Sequence, residues 1–307
     1  MVAAMSAAIY LDTVAAEVAG AFASHGIDCL LLKGPAMQAA FYRPGEFRPY
    51  GDVDLLVERH ELERAGEVLQ SLGFYERLAR SANVDTHVAS SAWDRPHPDA
   101  AIVDLHRSFY GVVNADALWR GLTADSPHLV VGGAPVRVPS KTGLALIAVL
   151  HAATAQAGHA RPIEDLRRAA ELLELDEWRL VGEKLRDVGA LALAVATLRE
   201  FGHAEIANAI ATGSVPSAEV LAARGVNGSG RLLLLLRTSS WTHRLRLIAR
   251  TLWPTAAYMR WLAVNAGREP RAIAIERAVR TLRMLAHSVL LVKAAYQVRV
   301  TSRRRLR

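Results

Sequence analysis

The chain changes its periodicity once, near Pro139, and that change constrains the fold more than any other feature of its 307 residues. Before Pro139, short apolar runs bounded by glycine and proline alternate with helical patterns. From Ser140 onward apolar residues recur at helical spacing and strand-like runs are nearly absent. Such segregation predicts two domains, an α/β domain over 1–139 and an all-helical domain over 140–307. About half of the residues (51%) are hydrophobic, enough to fill a sizeable core and to argue against disorder.

Within the first part, Ala8, Leu11, Ala15, Val18 and Phe22 mark one face of a helix over 4–24. The mostly apolar stretch 27–32, closed by Gly26 and Gly34, predicts a buried strand. Pro35 suits the first turn of a short helix over 35–42. Residues 43–51 are a loop punctuated by Gly and Pro. A second strand follows over 53–57, then a helix over 61–72 ended by Gly73. Runs at 74–80, 86–93 and 101–106 predict a meander, with a hairpin loop over 94–99. A small hairpin turns at Gly132-Gly133. Ser140 is placed to N-cap a helix reaching about 157. Further helices are expected near 162–175, 177–187, 189–201, 204–211, 216–224, 241–251, 254–266 and 270–298.

The net charge of +7 favours polyanionic partners, although Arg299, Arg303, Arg304, Arg305 and Arg307 also read as a solvated basic tail. The lone cysteine, Cys29, excludes an internal disulfide and sits in an apolar setting that suits an inert buried thiol. No cationic leader is visible, and Asp12 and Glu17 interrupt the first apolar stretch. No window offers about 18 uninterrupted apolar residues, so no membrane span and a reducing cytoplasm are expected.

The chemistry concentrates around Asp52-Val53-Asp54. On a strand these two acids point to one face, with Val53 and Leu55 on the other. Adjacent carboxylates repel each other unless water screens them or a divalent cation lies between them. Asp104 lies within the apolar run Ala101-Ile102-Val103-Asp104-Leu105-His106, where a buried acid needs a partner or a metal. If that strand lies beside the first, Asp104 completes a triad able to hold two Mg²⁺ ions. His106 shares the face of Asp104, and it either orients that acid, touches substrate or is a satisfied structural histidine. Lys33-Gly34, between a strand and a helix, is a candidate phosphate turn. Arg48 is a candidate to neutralise a phosphate, and Arg43 a weaker one. In the helical part His151, Arg161, Asp165 and Arg168 are expected toward the cleft, with Asp165 and Arg168 spaced as an intrahelical pair. Trp241, Trp253, Tyr258 and Trp261 lie among Arg244, Arg246, Arg250 and Arg260. That pattern fits core aromatics with snorkelling arginines better than a nucleic-acid surface.

These residues together resemble the DNA polymerase β-like nucleotidyltransferase superfamily. More narrowly, they are similar to a group of bacterial proteins known as the uncharacterised nucleotidyltransferase family. The matching segments are Leu32-Lys33-Gly34, Arg48-Pro49-Tyr50-Gly51-Asp52-Val53-Asp54-Leu55-Leu56-Val57 and Val103-Asp104-Leu105-His106. Leu72-Gly73-Phe74, His151, Asp165-Leu166 and Leu252-Trp253-Pro254-Thr255 also fit. The resemblance implies an α+β fold, a polymerase β-like domain with a mixed sheet flanked by helices, followed by a helical domain. It implies Asp52, Asp54 and Asp104 as catalytic metal ligands for two Mg²⁺ ions, with Lys33, Gly34 and Arg48 holding an NTP donor such as ATP. The acceptor is a small molecule, peptide, protein side chain or RNA end. One departure stands out: other superfamily members carry Gly-Ser in the turn where this chain has Lys33-Gly34. That departure keeps two alternatives open, an antitoxin-like binding module and a tailoring transferase with another nucleotide-linked donor.

Overall fold

The structure is a computed structural model that describes residues 2–77, 89–155 and 160–211, together with helical backbone at a few positions between 271 and 282. The chain divides into two compact units, Met1–Arg77 with Ala89–Gly213, and Leu78–Val88 with Ser214–Arg307. The start of the all-helical part at Ser140 thus falls inside the first unit rather than between the two. The helices expected over 216–224, 241–251 and 254–266, the basic-aromatic stretch from Trp241 to Trp261 and the C-terminal arginines lie outside the described residues.

The first unit opens with α1 (Val2–Ser24), β1 (Cys29–Leu31), α2 (Pro35–Phe41), β2 (Val53–Val57) and α3 (Leu62–Ser71). Three more strands follow: β3 (Tyr75–Glu76), β4 (Ser90–Arg95) and β5 (Ala101–His106). They form one mixed sheet in the order β1-β2-β5-β4-β3. β1 and β2 are antiparallel, β2 and β5 parallel, and β5, β4 and β3 antiparallel in turn. Every residue of β2 is buried, because both faces of the central strands are covered. The expected meander forms over β3, β4 and β5, and β5 also pairs in parallel with β2, which brings two separate acidic segments together.

A helix not expected from the sequence, α4 (Ala115–Thr123), follows β5. Its signals are local. Asn114 caps it by accepting from the Ala117 N–H at 3.0 Å, and Leu118 and Leu122 bury one stripe. The hairpin β6 (His128–Val131) and β7 (Ala134–Arg137) packs on α1 and β1. Its Gly132 has φ 55°, and a Cβ there would lie 2.4 Å from the Asp12 carbonyl oxygen on α1. Gly133, at φ 83°, has open space around it. Gly132→Ala should therefore cost about 2–4 kcal/mol, strain plus clash, and Gly133→Ala only about 1 kcal/mol, as read by denaturant unfolding.

The helical part comprises α5 (Lys141–Ala152), α6 (Ala160–Leu172), α7 (Leu175–Asp187), α8 (Leu191–Glu200) and α9 (Ala204–Ile210). Ser140 caps α5 as expected, accepting from the Gly143 N–H. α5 is the hub: it is buried from Gly143 to Leu150 and packs on α6, α7 and α8, while α2 packs against α5 and α6. Among the described residues α1 is the one helix long and apolar enough to cross a membrane by length and composition. It buries Leu11, Val14, Val18 and Phe22 in the core instead. Cys29 is buried beside it, and burial pushes its thiol up to about 12, as suits an unreactive side chain.

Candidate active site

The parallel register of β2 and β5 sets Asp54 opposite Asp104 and Leu56 opposite His106. Registered residues of paired strands share a face, so both carboxylates and the imidazole point the same way. Asp54, Asp104 and His106 each offer a ligand atom, and those atoms all lie within 4.8 Å of one another. Asp52 stands two residues before Asp54, half-buried in the bend that leads into β2.

Asp54 is the centre of the cluster. Its carboxylate is 4% exposed, and one oxygen, Oδ1, accepts from Lys33 Nζ at 2.6 Å and from His106 Nε2 at 2.9 Å. His106 thus orients Asp54 rather than Asp104, stacks on Phe109 at 5.2 Å and leaves its Nδ1 without a partner. Burial alone would raise Asp54, but Lys33 and His106 outweigh it and hold the carboxyl well below the usual range. The other two acids move the opposite way. Asp52 is raised by burial and then by the charges of Asp54 and Asp104. Asp104 is raised by burial and then by Asp54. Two carboxylates that are costly to ionise, beside a third whose ionised form Lys33 and His106 favour, fit a hard divalent cation with oxygen ligands.

The Lys33-Gly34 turn adjoins this cluster because the β1–β2 ladder continues past β1, with Leu32 N–H donating to the Asp54 carbonyl at 2.9 Å. Gly34 takes φ 55° and ψ −120°, which only glycine adopts without strain, and Tyr50 lies against its open side. Tyr50 donates its hydroxyl to Asp12 at 2.6 Å. Asp12, Lys33, Gly34, Tyr50, Asp52 and Asp54 line one shallow, closely packed depression.

A family described as uncharacterised nucleotidyltransferase matches residues 2–201. The chain belongs to that family. The matched stretch contains every residue of the acidic cluster and the turn beside it. Among solved structures, the antibiotic-resistance factor ANT(2'')-Ia shows 15% identity at a TM-score of 0.40, over 62% of this chain and 96% of that one. An antigenic nucleotidyltransferase-like protein from Paracoccidioides brasiliensis shows 17% identity at a TM-score of 0.38, over 68% of this chain and 95% of that one. No curated protein matches the sequence.

In this nucleotidyltransferase Arg48 does not face the acids as a free cation. It is 2% exposed and grips Asp165 of α6 with two bonds, Nε to Oδ1 at 2.8 Å and a terminal nitrogen to Oδ2 at 2.7 Å. Tyr42 donates to the same Asp165 oxygen at 2.8 Å. The expected Asp165–Arg168 pair is replaced by these bonds. Arg168 instead pairs with Glu164 and Glu46 and lies over the Tyr42 ring at 4.0 Å. Spacing along one helix favoured the local partner; burial selected partners more than a hundred residues away. His151, in the last turn of α5, does reach the site. Burial and then the nearby Lys33 push its imidazole down to about 3, so the ring is neutral, and its Nδ1 has no partner.

Proposed function

We propose that this chain is a Mg²⁺-dependent nucleotidyltransferase that moves a nucleoside monophosphate from an NTP to a hydroxyl acceptor. The observation that carries the proposal is the register of β2 on β5, which sets Asp54 beside Asp104 with Asp52 two residues away. Asp52, Asp54 and Asp104 would hold two Mg²⁺ ions, which when bound supply charge neutralisation at the phosphates and acidify the acceptor hydroxyl. His106 fixes the Asp54 carboxylate through its 2.9 Å bond. Lys33 supplies a point charge at the edge of the triad, and Gly34, whose positive φ makes the turn, offers its backbone to phosphate. In this reading residues 1–139 carry the reaction and the helices from Ser140 cover it. A small molecule, peptide, protein side chain or RNA end is the acceptor class, and a reducing cytoplasm suits the single thiol.

The test is incubation of the chain with each α-labelled NTP, Mg²⁺ and an acceptor panel. Label transferred with release of pyrophosphate supports the reading. No Mg²⁺-NTP binding, together with a co-purifying partner protein, would move the assignment to an antitoxin-like binding module. Transfer only from a nucleotide-linked sugar would mark a tailoring enzyme.

A second prediction concerns stability. In metal-free buffer Asp104→Asn should raise the Tm, because it removes a charge that burial and Asp54 penalise. Mn²⁺ at about 100 times its Kd should stabilise the unaltered chain by roughly 2.7 kcal/mol, and the asparagine variant far less. Thermal scans with and without Mn²⁺ read both effects.

A further inference from the structure

The loop that delivers the Asp-x-Asp pair faces α6 along three pairs of opposite charge. Glu46 is paired with Arg168 and Arg48 with Asp165, and the charge of Arg161 acts on Asp52. On α6 residues 161, 165 and 168 fall at i, i+4 and i+7 and so form one stripe. On the loop their partners run in the opposite direction, so helix and loop lie antiparallel.

Two rungs of this ladder are closed by hydrogen bonds. The third is open. Arg161 is exposed and has no hydrogen bond or ion pair to any described residue, yet its charge acts on Asp52. The other cations that act on the acidic cluster are already bonded to a carboxylate. Lys33 is held by Asp54 at 2.6 Å, and Arg77 by Asp94. Arg48 is held by Asp165. Of these cations, Arg161 alone is bonded to no described carboxylate, and Asp165 anchors its helix one turn, about 6 Å, away.

Building on the nucleotidyltransferase reading above, we propose that Arg161 is the polyphosphate-binding arm of this site, closing on the phosphates of the donor rather than on Asp52. An arginine suits that task because its planar fork grips phosphate oxygens in pairs. Asp52, committed to the cation cluster, is not its partner in the loaded site. The phosphate role that the sequence suggests for Arg48 thus belongs to the helical part of the chain, on a residue 113 positions further along.

The test uses the full chain, inorganic tripolyphosphate with Mg²⁺ as the probe, and calorimetry as the readout. Arg161→Met should weaken tripolyphosphate binding about tenfold or more. Arg161→Lys should fall between the two. Arg167→Met, on the neighbouring exposed face of α6, should bind like the unaltered chain. Mn²⁺ binding without phosphate, followed by electron paramagnetic resonance, should stay within about twofold in Arg161→Met. The Tm should be unchanged, because no bond to a described residue is lost. Tripolyphosphate binding by Arg161→Met at the original affinity, or no binding by the unaltered chain, would overturn the proposal. The two readings fail separately. Binding that depends on Arg161 without any nucleotidyl transfer removes the enzyme reading and leaves this one. Transfer by Arg161→Met at an unaltered KM for NTP does the reverse.

Discussion

Asp165→Ala should cost about 3–5 kcal/mol of stability, a fall in Tm of roughly 10 °C or more. The reason is what it leaves behind. Arg48 is 2% exposed, and without Asp165 its guanidinium is a buried charge with no counter-ion. Tyr42 loses its acceptor in the same step. Arg48→Ala should cost as much from the other side, by orphaning the carboxylate. Replacing both residues with apolar side chains of similar size, as in Arg48→Met with Asp165→Leu, should restore most of the loss, because the pair offsets its own desolvation only while both members are present. Calorimetric scans of the two single variants and the double one form the check. Equal losses that simply add would show that the pair is not coupled. By contrast, removing Arg167, whose pairs with Glu164 and Glu171 are solvent-exposed, should leave the Tm almost unchanged.

Asp54→Asn should lower nucleotidyl transfer by about 10³-fold or more, the largest effect on activity that we expect from one residue. Asn keeps the shape and an oxygen for Lys33 Nζ and His106 Nε2 to donate to. What it removes is the negative charge on which the cluster converges. The loss should appear in kcat/KM for every NTP tested, since the metal site serves all donors alike. Thermal stability falls as well, because Lys33 is 11% exposed and loses its counter-charge. A folded variant with near-normal transfer would remove Asp54 from the mechanism.

Much of the catalytic half is legible in local sequence. The strands at Val53–Val57 and Ala101–His106 are read to the residue, because each is a short apolar run with turn chemistry on at least one side. Strand periodicity predicts one face for Asp52 and Asp54, but β2 begins at Val53 and Asp52 stands in the bend before it. An acid inside the apolar run 101–106 already points to Asp104, and the β2–β5 register sets it opposite Asp54. Other features depend on pairings between distant segments and leave little local trace. Arg48 and Asp165 lie 117 residues apart, so nothing near Arg48 shows that its charge is already taken. His106 stands one strand away from Asp54, and periodicity links it to Asp104, its neighbour on the same strand, rather than to its actual partner. The helix at Ala115–Thr123 was legible in principle from Asn114 and the Leu118–Leu122 spacing, but it is short and lies in a stretch with strong turn signals. The functional consequence is specific. Local patterns locate the acids, whereas which cations the fold has already paired emerges only once its ion pairs are assigned.

The most direct test of the account is a Mn²⁺ titration by electron paramagnetic resonance, with a non-hydrolysable NTP analogue present, on the unaltered chain and on Asp54→Asn. If the acidic triad is a two-metal site, the former binds two Mn²⁺ ions per chain and the latter none tightly. Equal stoichiometry and affinity in both proteins would contradict it.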